Sequence, residues 1–179
     1  MKKVLSCLLA VLLLASLSVT AFAAADVVPS VEAESVVPTV SEAVDADEKD
    51  VASAIIITDA EDEEKVAELP EEAQKQLEDA AKALEDIAAL VEGNDDLKEL
   101  LDGKEVDAES LFDISIVGDE IKLPVSLKLE LVNPDNFAAL LHFVDGEATL
   151  VESELADENV SFVLEETGAY AVLSFVEAE

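Results

Sequence analysis

Residues 121–131 read I-K-L-P-V-S-L-K-L-E-L, and every odd position is apolar: Ile121, Leu123, Val125, Leu127, Leu129 and Leu131. The even positions hold Lys122, Pro124, Ser126, Lys128 and Glu130. A period of two puts each set of side chains on its own face of a strand, so this stretch reads as β-structure with one buried and one wetted face. Pro124 has no amide hydrogen to give to a ladder, which predicts an edge position or a bulge.

On either side of it the same period returns. In 111–117, Phe112, Ile114 and Ile116 alternate with Asp113 and Ser115. Further strands are predicted over 137–144, 147–153, 159–165 and 168–176. Asp145-Gly146 joins two of them as a two-residue hairpin signal, because a type I′ turn needs positive φ at both central positions. Upstream, V-A-S-A-I-I-I-T at 51–58 adds a seventh strand, carried by three stiff, β-branched Ile. Phe112, Phe137, Phe143, Phe162, Tyr170 and Phe175 all fall in or beside these strands, which places the core there.

Between the first strand and the rest the period changes to that of a helix. Ala73, Leu77, Ala80, Leu84, Ile87 and Val91 step by four and three and share one face, predicting a helix over 70–92. Pro70 suits a first turn, and Glu71 and Glu72 suit the positive end of the helix dipole. Glu71 with Lys75, and Glu78 with Lys82, are spaced to pair on the outer surface. Gly93 is expected to stop this helix, and Asn94 to cap a second one over 95–101, ended by Gly103. The expected class is mainly β (α+β): an antiparallel sandwich of about seven strands, with the helix packed on it or across an opening.

The N-terminus reads differently. Lys2 and Lys3, an apolar stretch and A-F-A at Ala21, Phe22 and Ala23 form a secretory signal peptide over 1–23. The apolar stretch is short for a membrane span, and Cys7 lies too early for lipoprotein acylation. Residues 24–50, with two Pro and repeated Val, Ser, Glu and Ala, read as a disordered acidic spacer. The β-sandwich module is then expected over 51–177.

Charge narrows function. The 179 residues carry 43 acids against 10 Lys and no Arg, for a formal charge of −33. Removing 1–23 takes away two Lys, no acid and the single Cys, which moves the charge to −35. Such a chain repels nucleic acid and anionic membranes. Without Cys, with one His, and without G-x-S-x-G, it lacks the usual parts of a nucleophilic site. His142 shares a face with Leu140 and Val144 and reads as structural. Tyr170 alternates with Val172, Ser174 and Val176 and reads as part of a sheet face. Asp45, Asp47 and Asp50 resemble a fragment of a calcium loop but lack the turn Gly and the closing Glu. Alternating strands would bring Asp119, Glu120, Asp145 and Glu166 to one edge, where weak screening by divalent cations is expected and a tight metal site is not. No catalytic residue, cofactor or metal ligand is nominated.

The order S-A-I-I-I-T-D, L-P-E-E-A-Q-K-Q-L-E-D-A, L-F-D-I-S-I-V-G-D, F-A-A-L-L-H-F-V-D-G-E and G-A-Y-A-V-L-S-F resembles a family of uncharacterised secreted modules of anaerobic Gram-positive gut bacteria. The resemblance spans residues 51–177, and Leu141, His142, Asp145 and Gly146 are its most specific part. It differs from many relatives in having Glu147 and Ala148 after the turn instead of an aromatic residue, and in lacking a C-terminal sorting motif. The resemblance implies a helix joined to an immunoglobulin-like β-sandwich in an exported or cell-surface protein. The function expected is that of a secreted, non-catalytic module acting through surface contacts with an extracellular protein or cell-wall component. The alternatives are a small secreted carboxylate-dependent hydrolase and a calcium-dependent binding module.

Overall fold

The computed structural model describes residues 37–118 and 120–176. The signal peptide expected at 1–23 lies outside the described residues, as does the part of the expected spacer before Val37. Among the described residues, nine strands form: β1 (Thr39–Val44), β2 (Ile55–Asp59), β3 (Val106–Ile116), β4 (Val125–Glu130), β5 (Phe137–Val144), β6 (Glu147–Val151), β7 (Ser153–Ala156), β8 (Asn159–Leu164) and β9 (Gly168–Phe175). Helices α1 (Glu63–Val66), α2 (Glu71–Leu84), α3 (Ile87–Gly93) and α4 (Asp95–Leu101) all lie between β2 and β3.

The strands make two antiparallel sheets, one of four in the order β1-β4-β8-β7 and one of five in the order β2-β3-β9-β5-β6. They face each other across a core built from Val125, Leu127 and Leu129 of β4, Val160, Phe162 and Leu164 of β8, Phe112 and Ile114 of β3, and Leu140, Tyr170 and Val172 of β5 and β9. The alternation read in 125–130 is realised: the odd residues are buried and the even ones exposed.

The second face of the five-stranded sheet is covered by the helices. Leu77 and Ala80 of α2 and Leu97 and Leu101 of α4 pack on Ala139, Leu141, Phe143, Ala169, Ala171 and Leu173. The small Ala side chains on β5 and β9 let the helices come close, and burying a side chain such as Leu77 contributes about 1.5–3 kcal/mol. The five-stranded sheet is thus the middle layer, and β9 is buried on both faces over its first six residues. That is why F-A-A-L-L-H-F-V and G-A-Y-A-V-L-S-F are almost continuously apolar.

Several expectations are corrected. The spacer reading of 24–50 does not hold from Thr39 onward: β1 pairs with β4, and Ala43 is wholly buried. Its partner strand lies more than eighty residues away, so no local period marks it. Pro124 does not make β4 an edge strand. It stands just before the strand, where no ladder donor is required, and β4 runs inside its sheet between β1 and β8. The single helix over 70–92 is broken at Asp86, whose Oδ1 accepts the Ala89 amide at 3.0 Å and caps α3. Lys82 pairs with Glu78 at 2.8 Å as expected, while Lys75 reaches forward to Asp79 at 4.0 Å instead of back to Glu71. Leu84 is only partly buried at the end of α2, so Leu77 and Ala80 are its anchors. Two other expectations hold: the helical stretch ends at Gly93, though without positive φ, and Asn94 Oδ1 caps α4 by accepting the Asp96 and Leu97 amides at 3.1 Å each.

The expected strand over 147–153 divides at Glu152, where the chain leaves one sheet and joins the other as β7. Asp145 and Gly146 have φ of 50° and 80°, the pair of positive values the D-G signal requires. Asp157 and Glu158 form a second such turn, with φ of 48° and 70°, between Ala156 and Asn159, and no Gly announces it.

Candidate functional site

Register builds a row of rings across the five-stranded sheet. Phe112 of β3 lies opposite Tyr170 of β9, Tyr170 opposite His142 of β5, and His142 opposite Thr149 of β6. All four belong to the face turned toward the four-stranded sheet, as the alternation of His142 with Leu140 requires. The centroids of Phe112 and Tyr170 are 6.4 Å apart, and those of Tyr170 and His142 are 4.4 Å apart with planes 15° from parallel. Phe162 meets Tyr170 from the opposite sheet, 6.0 Å between centroids. Along this row exposure rises from buried Phe112 and Tyr170 through half-buried His142 to exposed Thr149.

The row ends in a groove of about 780 Å³. Its origin is the sheet switch at Glu152. β7 covers β8 only from Asn159 to Phe162, so among the described residues β8 has no paired strand beside Val163 and Leu164 on the side away from β4. His142, Tyr170 and Phe162 floor the opening, and Thr149, Val151 and Ser153 wall it. It continues onto the outer face of the four-stranded sheet along Ser126, Lys128, Ser161 and Val163. Among the described lining residues, Glu42, Glu152, Glu154, Glu165 and Glu166 supply five carboxylates, while the one cation, Lys128, donates to Glu42 Oε2.

The chemistry of the floor follows from its burial. Desolvation holds the His142 imidazole below its ordinary value of 6.5, with the Glu166 carboxylate acting against it. Burial likewise raises Tyr170, helped by the negative charges of Glu166, Glu165 and Asp113. The Tyr170 hydroxyl donates to the Glu166 backbone carbonyl at 2.7 Å, tying the β8–β9 connection to the start of β9. Gly168 takes φ of 143°, and a Cβ there would stand 2.8 Å from Gln76 Oε1 and 3.5 Å from His142 Nε2. Among the described residues, no hydrogen bond joins His142 to a hydroxyl, and His142 serves as a ring in a stack.

Asp45, Asp47 and Asp50 have separate partners and do not converge. Asp45 is buried, and its Oδ1 accepts the amides of Asp47 and Lys49 at 2.9 Å each. Asp47 pairs with Lys122 at 2.9 Å, and Asp50 Oδ1 accepts the Ala52 amide at 3.0 Å. Strand directions put the turns at Gly118, Asp145–Gly146 and Glu166–Thr167 at one end of the five-stranded sheet, as alternation predicts. Asp119 lies outside the described residues. Among the described residues, no three acidic, His or Cys side chains converge as a metal site would need, and no helix is long and apolar enough to cross a membrane. The groove residues Thr149, Glu152, Glu154 and Glu165 carried no signal in the sequence, because a lone polar residue in an acidic chain looks like solvated surface. Compared with protein-family models, curated proteins and solved structures, the chain matches none of them.

Proposed function

We propose that this chain is a secreted, non-catalytic β-sandwich module that acts through surface contacts, as an adhesion or cell-envelope-associated protein. The observation that carries the reading is the side groove: concave, floored by stacked rings, and rimmed by carboxylates and hydroxyls.

The immunoglobulin-like reading is supported by strand order. The order β1-β4-β8-β7 follows the A-B-E-D order of that sandwich, and β3-β9-β5-β6 follows G-F-C-C′. The slot of the last strand, G, is filled by β3 from upstream in the chain. The Tyr170 hydroxyl bonding back to Glu166 matches the tyrosine corner at the start of strand F. Export is supported by the leader-like residues 1–23 and by the surplus of acid, which keeps an extracellular domain soluble.

Co-sedimentation of the purified protein with isolated cell envelopes tests the reading, with Thr149→Trp as a variant that fills the groove mouth. Binding by the parent and its loss in the variant are expected. Equal binding by both would remove the groove from the function. Hydrolysis of ester or glycoside substrates that is abolished by His142→Ala would replace the binding module with an enzyme.

A further inference from the structure

We propose that the groove takes an extended, lysine-bearing segment of a partner protein, added as a short strand to the uncovered end of β8; this rests on the groove being the contact site. β8 keeps strand geometry through Leu164, yet β7 stops level with Phe162, so among the described residues the edge beside Val163 and Leu164 is open to a new strand. An incoming strand there continues the line of β7 and lies over the opening between the sheets.

Alternation of side chains then fixes the kind of segment. Phe162 and Leu164 point into the sandwich, so the partner's inward residues meet Phe162 and the His142 ring, an apolar and aromatic floor. Val163 is exposed on the outer face, with Glu165 two residues beyond it, and Glu154 lies opposite Ser161 on that same face. The partner's outward residues therefore run between Glu154 and Glu165, about 13 Å apart along the strand direction. Among the described residues, no free cation of the groove neutralises them, because Lys128 is engaged by Glu42. The pattern that fits is apolar inward and cationic outward, alternating. A second copy of this chain is disfavoured, since it would bring a like charge of more than thirty units.

The surface is acidic almost everywhere, so the test must separate strand pairing from charge attraction. The probes are a capped Lys-Val-Lys-Val-Lys-Val peptide, the block peptide Lys-Lys-Lys-Val-Val-Val, and the alternating peptide N-methylated at every second amide along one edge. Amide chemical shifts of the isotope-labelled protein are followed during titration. The alternating peptide is expected to shift amides of 149–154 and 161–166, to bind roughly tenfold more tightly than either control, and to weaken in Glu154→Gln/Glu165→Gln. Equal binding of the three peptides, or shifts spread over α2–α4, would overturn the proposal and leave only charge attraction. Thr149→Trp in the envelope assay reports separately on the groove, so loss of strand pairing and loss of the contact site are distinguishable.

Discussion

The imidazole of His142 lies flat against the ring of Tyr170, their centroids 4.4 Å apart and their planes 15° from parallel. The contact exists because β5 and β9 pair with these two residues directly opposite each other, on the face that looks into the sandwich. It makes the single His of the chain part of the groove floor, and its titration reports on that floor.

His142 should therefore titrate below 6.5, because burial disfavours its charged form. Glu166 opposes that shift, so Glu166→Gln should lower it further. Imidazole proton shifts followed by NMR against pH measure both. A value above 6.5 in the parent protein would mean that the ring is solvated or paired with an acid, contrary to the stack.

Asp113 sits on the helix-covered face of β3, opposite Thr58 and Ala169, with one carboxylate oxygen unpartnered. Burial pushes its carboxyl up from 3.8 to about 6, while the Ser115 hydroxyl pulls it down. Between these values the folded state holds more protons than the unfolded one, so this group lowers stability as pH rises from 4 to 6. Asp113→Asn should stabilise the protein at pH 7 by up to about 3 kcal/mol, and the difference should vanish near pH 4. Urea unfolding of both proteins at the two pH values checks this. A variant less stable than the parent at pH 7 would show that the charge is matched.

The helical layer hangs on α2. Leu77 is 4% exposed and touches the middle sheet, whereas Leu84 is partly exposed at the end of the helix. Leu77→Ala should cost about 2–5 kcal/mol, and Leu84→Ala about 1 kcal/mol or less. Denaturant midpoints of the two variants rank them. The reverse order would place the helix differently on the sheet.

β1 belongs to the folded unit. A chain beginning at Val51 lacks it, leaving β4 with an open edge and removing Ala43 from the core. It should be less stable than a chain beginning at Val37 by a few kcal/mol, measured by denaturant unfolding of the two. Equal stability would return residues 39–50 to a spacer role.

The alternation of 125–130 and the D-G turn made β4 and the β5–β6 hairpin legible in the sequence, since each depends on neighbours along the chain. β7 escaped that reading because Glu152 joins it to β6 with no turn residue between, and because its other end turns on Asp157 and Glu158 without Gly. The site was less legible than the fold. His142 and Tyr170 could each be assigned to a sheet face, but nothing near either one says that they are opposite each other.

By itself, then, the sequence determined the β-rich class, the helical region after β2, the faces of β4, β5 and β9, and the acidity of the chain. Only the tertiary structure decided that β1 joins β4, that the five-stranded sheet lies between the other sheet and the helices, and that a groove opens where β7 falls short of β8. The physical reason is range. Periodicity and turn chemistry are set by residues a few positions apart. Strand partners are chosen by which arrangement buries both faces of β5 and β9 at once, a condition that joins residues far apart in the chain.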